Sequence, residues 1–384
     1  MNVGRPIPIS FVLAARNLFR DRIRLVATLI GIIFSVVLVT VELGLFLGFE
    51  RTVTVMIDHA GADLWIGPAQ TKSFEAASFL SGRERFRALP IDGVTQVTPV
   101  MIGFTYWRKP DGASLVPIFL VGFQPGADGL KPWNIVAGTL DDLTSPDAVA
   151  VDATYFDRLG VKGLGDYAEI GDRRARVAVV TKGIRSFATT PYVFAPIDRV
   201  RSWIGAPAEA ATYFQVRVAP GADVAAIRAR LAADLPDADV LTADEFRSRS
   251  RSFWLFETGA GAALFASALL ALIVGTVIVG QTLYSSTKDH VGEFATLRAI
   301  GSPRGYIYRI ILLQALVSAV IGFVIATSAG AVLARLSVES ALPIVMTPAL
   351  ILALFVLTLL MCIASAVSAI VVVMRLDPVT AFAR

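Results

Sequence analysis

The chain has 384 residues, 55% of them hydrophobic and 17% charged, with a formal net charge of +4. Soluble domains run at roughly 45–50% apolar and about 25% charged, so this composition excludes a disordered chain and an ordinary globular enzyme. Uncharged runs at 25–41, 258–287, 310–334 and 340–374 hold the excess; a helix crossing a bilayer needs about 20 apolar residues, so an integral membrane protein with four spans is expected.

Residues 9–22 place Phe11, Ala14, Ala15, Leu18 and Phe19 on one side of a helix and Ser10, Arg16, Asn17 and Arg20 on the other. That pattern suits an amphipathic helix along a membrane surface or a cytoplasmic extension of the first span. The first run reaches span length by taking in Glu42 near its outer end. No A-x-A site follows at Gly44-Leu45-Phe46-Leu47-Gly48, so an uncleaved anchor is expected. The expected division is an N-terminal helix over 1–24, spans over 25–47, 258–284, 307–334 and 348–374, a large domain over 48–257, loops over 285–306 and 335–347, and a tail over 375–384. Arg5, Arg16, Arg20, Arg22 and Arg24 stand against Asp21 alone, the 285–309 segment carries Lys288, Arg298, Arg304 and Arg309 against Asp289 and Glu293, and the tail has Arg375 and Arg384 against Asp377. Short cytoplasmic segments collect Lys and Arg. Both termini and the 285–306 loop are therefore expected inside, 48–257 outside, and the net charge gives no argument for nucleic acid.

Segment 48–257 reads as a mixed α+β domain inserted between spans one and two. Two β-rich runs flank Lys109-Pro110-Asp111-Gly112 within 94–123, the chemistry of a hairpin turn. Residues 148–151, 175–181, 191–195, 212–218 and 238–241 read as further short strands, and 196–204 and 223–235 as helices, the latter capped by Asp223. The charged stretch with Arg247, Arg249 and Arg251 is expected to continue as one helix into the second span, giving a rigid join.

Chemistry-bearing patterns are few. Cys362 is the single cysteine and His59 and His290 the only histidines, which leaves neither a disulfide nor a Cys-based or His-cluster metal site. The nearest phosphate-loop match, Gly275-TVIV-Gly280-Gln281-Thr282, has Gln281 in place of the lysine and lies inside an apolar run. There is no G-x-S-x-G elbow, and Asp141-Asp142 and Asp244-Glu245 read as solvated loop charges. Glu42 is an intramembrane polar candidate, because a carboxylate in a span faces protein or water, or snorkels to the interface. His59 reads as a surface residue.

The stretch from Tyr284 to Gln314 contains Glu293-Phe294-Ala295-Thr296-Leu297-Arg298-Ala299-Ile300-Gly301, ended by Gly301-Ser302-Pro303. It resembles the FtsX-like permease domain of MacB-type (type VII) ABC transporters. Lys288-Asp289-His290 before it is most similar to the DevC-like branch. Leu13 to Ile32 resembles the family's opening segment, and Arg375-Leu376-Asp377-Pro378 its C-terminal signature. Val121-Gly122-Phe123 is similar to a run in the family's outer core.

The resemblance implies the permease subunit of an ABC exporter working by mechanotransmission in the bacterial inner membrane. It implies a coupling helix in which Glu293, Phe294, Leu297, Arg298 and Gly301 meet a separate ATPase subunit. ATP and Mg would be bound by that partner and no cofactor by this chain. The further partners implied are a second permease copy, a homodimer being expected, a periplasmic adaptor, an outer-membrane duct and membrane lipid. A lipoprotein-release or cell-wall-hydrolase-regulating complex of the same family is the rival expectation. A membrane-anchored extracytoplasmic enzyme is a rival of another class, for which 48–257 offers no convergent catalytic set.

Overall fold

The uncharged runs fold as helices because nothing in them breaks the backbone ladder. In the computed structural model, which describes residues 22–75, 78–112, 114–186, 190–289, 303–340 and 342–374, they are Arg22–Thr52, Ala260–Asp289, Arg304–Leu336 and Pro348–Met374. Proline stands only at their starts, as Pro303 before the third and Pro348 opening the fourth, where a missing N–H removes no helical bond. Thr347 Oγ1 accepts from the Leu350 backbone N–H at 3.1 Å and caps the fourth helix. The stretches Leu25–Thr52, Ala260–Thr282, Tyr308–Leu336 and Pro348–Ser368 are each long and apolar enough to cross a membrane.

The chain divides into two units, one holding residues 1–47, 263–338 and 344–384, the other 48–262 and 339–343. In the first, Ile32, Val36, Val279, Ile311, Ala315 and Cys362 belong to one buried cluster. Close approach depends on missing side chains. A β-carbon on Gly275 would fall 1.6 Å from Ser35 Oγ, and one on Gly322 would fall 2.5 Å from Ile32 Cγ2. Helices in lipid gain little from hydrophobic association and associate through such small-residue contacts. Several hydroxyls bond within this unit, while Ser318 Oγ and Thr327 Oγ1 are buried with no hydrogen-bond partner among the described residues. Thr40, Thr276 and Thr358 donate to their own i−4 carbonyls at 2.6, 2.8 and 2.7 Å, and Ser365 donates across to the Thr276 carbonyl at 3.2 Å. The outward side chains, among them Ile30, Phe34, Leu270, Val324 and Leu360, are exposed and aliphatic or aromatic.

The second unit is built on a mixed sheet of ten strands: β1 Leu64–Pro68, β2 Val94–Arg108, β3 Leu115–Phe123, β4 Ile135–Ala137, β5 Ala148–Asp152, β6 Tyr167–Ile170, β7 Arg173–Thr181, β8 Tyr192–Pro196, β9 Tyr213–Val218 and β10 Ala238–Thr242. The order is β10-β1-β9-β2-β3-β8-β5-β7-β4, with β6 bridging β2 and β7. Among the described residues, only β3–β8 and β5–β7 are parallel. The long β2 is shared: Val94–Val100 pairs with β9, and Met101–Arg108 with β3. The expected hairpin is present, its turn closed by Gly112 N–H donating to the Lys109 carbonyl at 2.9 Å with Gly112 at φ +70°. Asp223 caps Val224–Asp234 by accepting from Ala225 and Ala226 at 3.0 and 3.1 Å.

Three strands have no counterpart in the sequence reading: β1, β4 and β6. β6 and β7 form a tight hairpin over Gly171-Asp172, with Ile170 opposite Arg173, a two-residue connection that a Gly-Asp pair favours. The acid pairs are corrected in role. Asp142 completes a capping box with Thr139 and Glu245 one with Thr242, so each secures a helix start rather than standing as a free loop charge.

Candidate functional site

The chain leaves the second unit through β10, and its exit is held by a capping box, ion pairs and long-range hydrogen bonds. After the Thr242 capping box, helix Ala243–Ser252 turns Phe246 inward, fully buried, with ring centroids 5.3 Å from Trp65 and 5.2 Å from Tyr213. The three arginines on its other faces each meet an anion. Arg247 pairs with Asp58 at 2.6 Å and with Asp244. Arg249 pairs with Asp239 and donates to the Thr71 carbonyl at 3.1 Å. Arg251 reaches Glu50, in the last turn of the first apolar helix, at 3.4 Å.

The expected continuous helix into the second span is overturned here. Helix Ala243–Ser252 widens into a π turn at Phe253–Glu257 and stops at Thr258. Gly259 takes φ +77°, a left-handed conformation that glycine adopts without steric cost, and a new helix starts at Ala260. Such π segments are rare and favour functional positions. The sequence signal was present in Thr258-Gly259-Ala260-Gly261, two glycines within four residues.

The loop Thr71–Glu75 holds this turn. Lys72 Nζ lies 2.6 Å from Glu257 Oε2 and 5.6 Å from the centroid of the Phe253 ring. Glu75 accepts from the Tyr192 hydroxyl at 2.6 Å through Oε1 and from Trp254 Nε1 at 3.3 Å through Oε2. As a residue Glu75 is half-buried, but its carboxyl group is the part taken up between a β8 tyrosine and the exit tryptophan. Desolvation raises its pKa, against the lowering effect of the hydrogen bonds from Tyr192 and Trp254. The same burial, with Glu75 nearby, holds the Tyr192 and Tyr213 hydroxyls well above the ordinary tyrosine value. A carboxyl group bonded to neutral donors links the sheet to the segment that leaves it.

Other buried acids are structural. Asp152 accepts from Ile184 N at 2.7 Å, Thr154 N at 3.0 Å and Thr181 Oγ1 at 3.0 Å, so both of its oxygens are engaged by backbone and hydroxyl donors. Among the described residues, no group of three or more His, Cys, Asp and Glu is placed to hold a metal ion. His59 is exposed and stacks on Trp133 with centroids 4.1 Å apart.

Of the residues singled out from the sequence, Glu42 is half-buried in helix Arg22–Thr52. That helix runs on to Thr52, roughly 15 Å beyond Glu42 at the ordinary rise. Glu293, Phe294, Leu297, Arg298, Gly301, Asp377 and Pro378 lie outside the described residues. The structure therefore adds the exit cluster, Lys72, Glu75, Tyr192, Trp254 and Glu257, which sequence reading missed. Its members come from three distant segments, and no local pattern marks them.

Comparison with known proteins adds the lineage. A family model for the MacB-like periplasmic core domain matches residues 25–234, and one for the FtsX-like permease C-terminal region matches 265–378. An uncharacterized ABC transporter permease of Mycobacterium tuberculosis strain H37Rv is 25% identical over 343 residues, covering 84% of this chain and 86% of that protein. An uncharacterized ABC transporter permease of Mycobacterium bovis is 26% identical over 329 residues, covering 81% of this chain and 82% of that protein. The crystal structure of the periplasmic region of MacB from Actinobacillus actinomycetemcomitans aligns over 50% of this chain and 94% of its own, at 15% identity and a TM-score of 0.38. With one family model covering more than half of its length and a second covering the membrane helices that follow, the chain belongs to the MacB-like, FtsX-type family of ABC transporter permeases, as a membrane protein with an inserted extracytoplasmic α+β domain.

Proposed function

We propose that the chain is the permease subunit of an ABC exporter that works by mechanotransmission, with ATP and Mg bound by a separate ATPase subunit. The observation that carries this reading is the exit cluster. The segment joining the sheet to the helix at Ala260 is tied to the sheet by Glu75, Lys72 and Arg249, while Gly259 gives the chain a bend beside it. A pull on the helix is then delivered to β8 through Trp254 and Tyr192 instead of being lost in a slack linker. Thr40, Thr276 and Thr358 spend their hydroxyls on their own helices, which favours transmitted movement over a polar path built from them.

In this reading the spans lie in the bacterial inner membrane, the termini face the cytoplasm, and the domain after the first span is periplasmic. Glu293, Phe294, Leu297, Arg298 and Gly301 form the ATPase contact, and Asp377-Pro378 closes the cytoplasmic side. Two copies of the chain pair in the working unit. The DevC-like residues Lys288-Asp289-His290 supply the argument for a periplasmic adaptor and an outer-membrane duct as partners.

Co-purification in mild detergent with candidate ATPase subunits tests the reading. The wild-type chain is expected to retain an ATPase subunit, and a Glu293→Ala/Arg298→Ala variant to lose it while still purifying as a folded protein. A wild-type chain that retains no ATPase subunit overturns the proposal. An ATPase subunit retained equally by both proteins overturns the coupling-helix assignment.

A further inference from the structure

The four membrane-length helices are not equally covered. Of the most apolar stretch in each, 39% is buried inside the protein in the first, third and fourth helices, and 22% in the second. Helix Ala260–Asp289 turns small residues inward: Ala268, Ala271, Gly275 and Val279 are buried, with Gly275 against Ser35. Its outward side carries a line of exposed residues, Ala263, Ser267, Leu270, Val274, Val277 and Gln281. Their spacing alternates between four and three, the repeat that keeps one edge of a helix along a parallel neighbour. No charged residue occurs between Glu257 and Lys288. Ser267 and Gln281 are out of place on a line that faces lipid. Both are exposed, and neither has a hydrogen-bond partner among the described residues. Two other exposed serines donate to their own helices, Ser328 to the Val324 carbonyl and Ser368 to the Ser365 carbonyl, each at 2.8 Å. Gln281 stands seven positions before Lys288, about 10 Å of helix. An amide left bare in hydrocarbon is costly, and acyl chains offer it no partner.

We propose that this line is the contact with a second copy of the chain, whose own helix Ala260–Asp289 lies alongside in the same direction. A two-fold axis along the membrane normal sets each residue of the line opposite its counterpart, so only side chains that complement themselves fit there. Gln281 does so because its amide both donates and accepts, and two such amides bond reciprocally across the axis. The Ser267 hydroxyls, which also donate and accept, pair in the same way nearer the other end. Leu270, Val274 and Val277 pack against their like between the two polar pairs. The lack of charge on the line keeps like charges from meeting at the axis. Polar side chains that bond across helices are a principal tie between helices in lipid. This contact rests on the two-copy unit of the exporter reading but needs no ATPase subunit.

Disulfide cross-linking of the full-length chain in membranes of the expressing cell provides the test. Ser267→Cys, Val274→Cys and Gln281→Cys each place a thiol on the line, and Leu360→Cys places one on the exposed side of the fourth helix for contrast. The native Cys362 is buried, so the unaltered chain serves as the blank. A disulfide needs Cα atoms within about 7 Å of each other, so covalent dimers are expected from the three line positions and none from Leu360→Cys. Failure to cross-link at all three line positions overturns the proposal. If the protein in detergent then still has the mass of two chains, the copies pair elsewhere; if it has the mass of one, the two-copy unit fails as well. Gln281→Leu is expected to raise the dimer dissociation constant in liposomes, read by energy transfer between labelled copies, by about threefold to thirtyfold, the range of polar bonds between membrane helices. Gln281→Asn, which keeps an amide, is expected to lose less. An unchanged constant for Gln281→Leu overturns the reciprocal amide bond.

Discussion

The membrane helices and the sheet domain solve the same problem, satisfying polar groups away from water, in opposite ways. In the helices several hydroxyls turn back on their own backbone, as at Thr40, Thr276 and Thr358, and contact depends on glycine and serine fitting together, as at Gly275 and Ser35. In the domain the polar ties run far along the sequence: Glu75 to Tyr192 and Trp254, Lys72 to Glu257, Arg247 to Asp58. A hydroxyl bonded to its own helix keeps that bond when the helix shifts against its neighbours, whereas a bond such as that of Ser365 to the Thr276 carbonyl does not survive the shift. A domain laced by distant ties moves as a body. That difference suits the mechanotransmission proposed above.

The largest effect is expected in the domain core. Phe246→Ala empties a fully buried site between Trp65 and Tyr213 and should cost about 3–5 kcal/mol, read as loss of the domain's tryptophan fluorescence transition in denaturant. In the helices the corresponding lesion is addition. Gly275→Ala places a methyl 1.6 Å from Ser35 Oγ, and overpacking of this kind costs about 1–3 kcal/mol. Gly305→Ala, with nothing within 4 Å, should be neutral or stabilising by up to about 1 kcal/mol, the helix-propensity gain of alanine over glycine. If thermal unfolding in detergent ranks Gly275→Ala and Gly305→Ala alike, small-residue packing does not hold the helices together and the contrast with the domain fails.

The two regions also differ in how far they can be read from sequence. The apolar helices announce themselves, because an uncharged run of span length has few other homes. Local turn chemistry is equally legible: Pro110-Asp111-Gly112 marks the β2–β3 hairpin, and Asp223 marks its helix start. β1 was invisible because all five of its residues are buried, so it shows no alternation, and β4 and β6 are too short to stand out. The aromatic cluster of Trp65, Phe74, Tyr213 and Phe246 and the carboxyl link at Glu75 join the 65–75 stretch to residues more than a hundred positions later in the chain. Their chemistry exists only after folding. The break at Gly259 was hidden by a helical charge pattern before it and an apolar run after it, each correct by itself.

A smaller effect probes the carboxyl link through pH. Folding raises the pKa of Glu75 above its ordinary value of 4.5, so above that pH the folded chain holds a proton that the unfolded chain has released. Stability contributed here is greatest below about pH 4.5 and falls as pH rises through the folded-state value, following proton linkage. Tyr192 and Tyr213, whose values are pushed up from 10, do not titrate in that window. Glu75→Gln keeps an acceptor for Trp254 and removes the titration. The variant should match the wild type in melting temperature near pH 4 and exceed it increasingly toward pH 8. A difference that is constant from pH 4 to 8 would show that the carboxyl group does not change protonation on folding.

The smallest effect belongs to the outermost tie. Lys72 and Glu257 are close, at 2.6 Å, yet their side chains are 57% and 50% exposed. Pairs of this kind are worth about 0–1 kcal/mol and weaken in salt. A double-mutant cycle with Lys72→Ala and Glu257→Ala should therefore give a coupling below about 1 kcal/mol at low ionic strength, fading toward zero at 1 M salt. Lys72 also covers the Phe253 ring, so Lys72→Ala alone should cost more than Glu257→Ala alone, and that excess should survive in salt. If the coupling is instead large and salt-resistant, the exit turn is closed off from water, and Lys72 joins Glu75 as a principal connection between the sheet and the segment that leaves it.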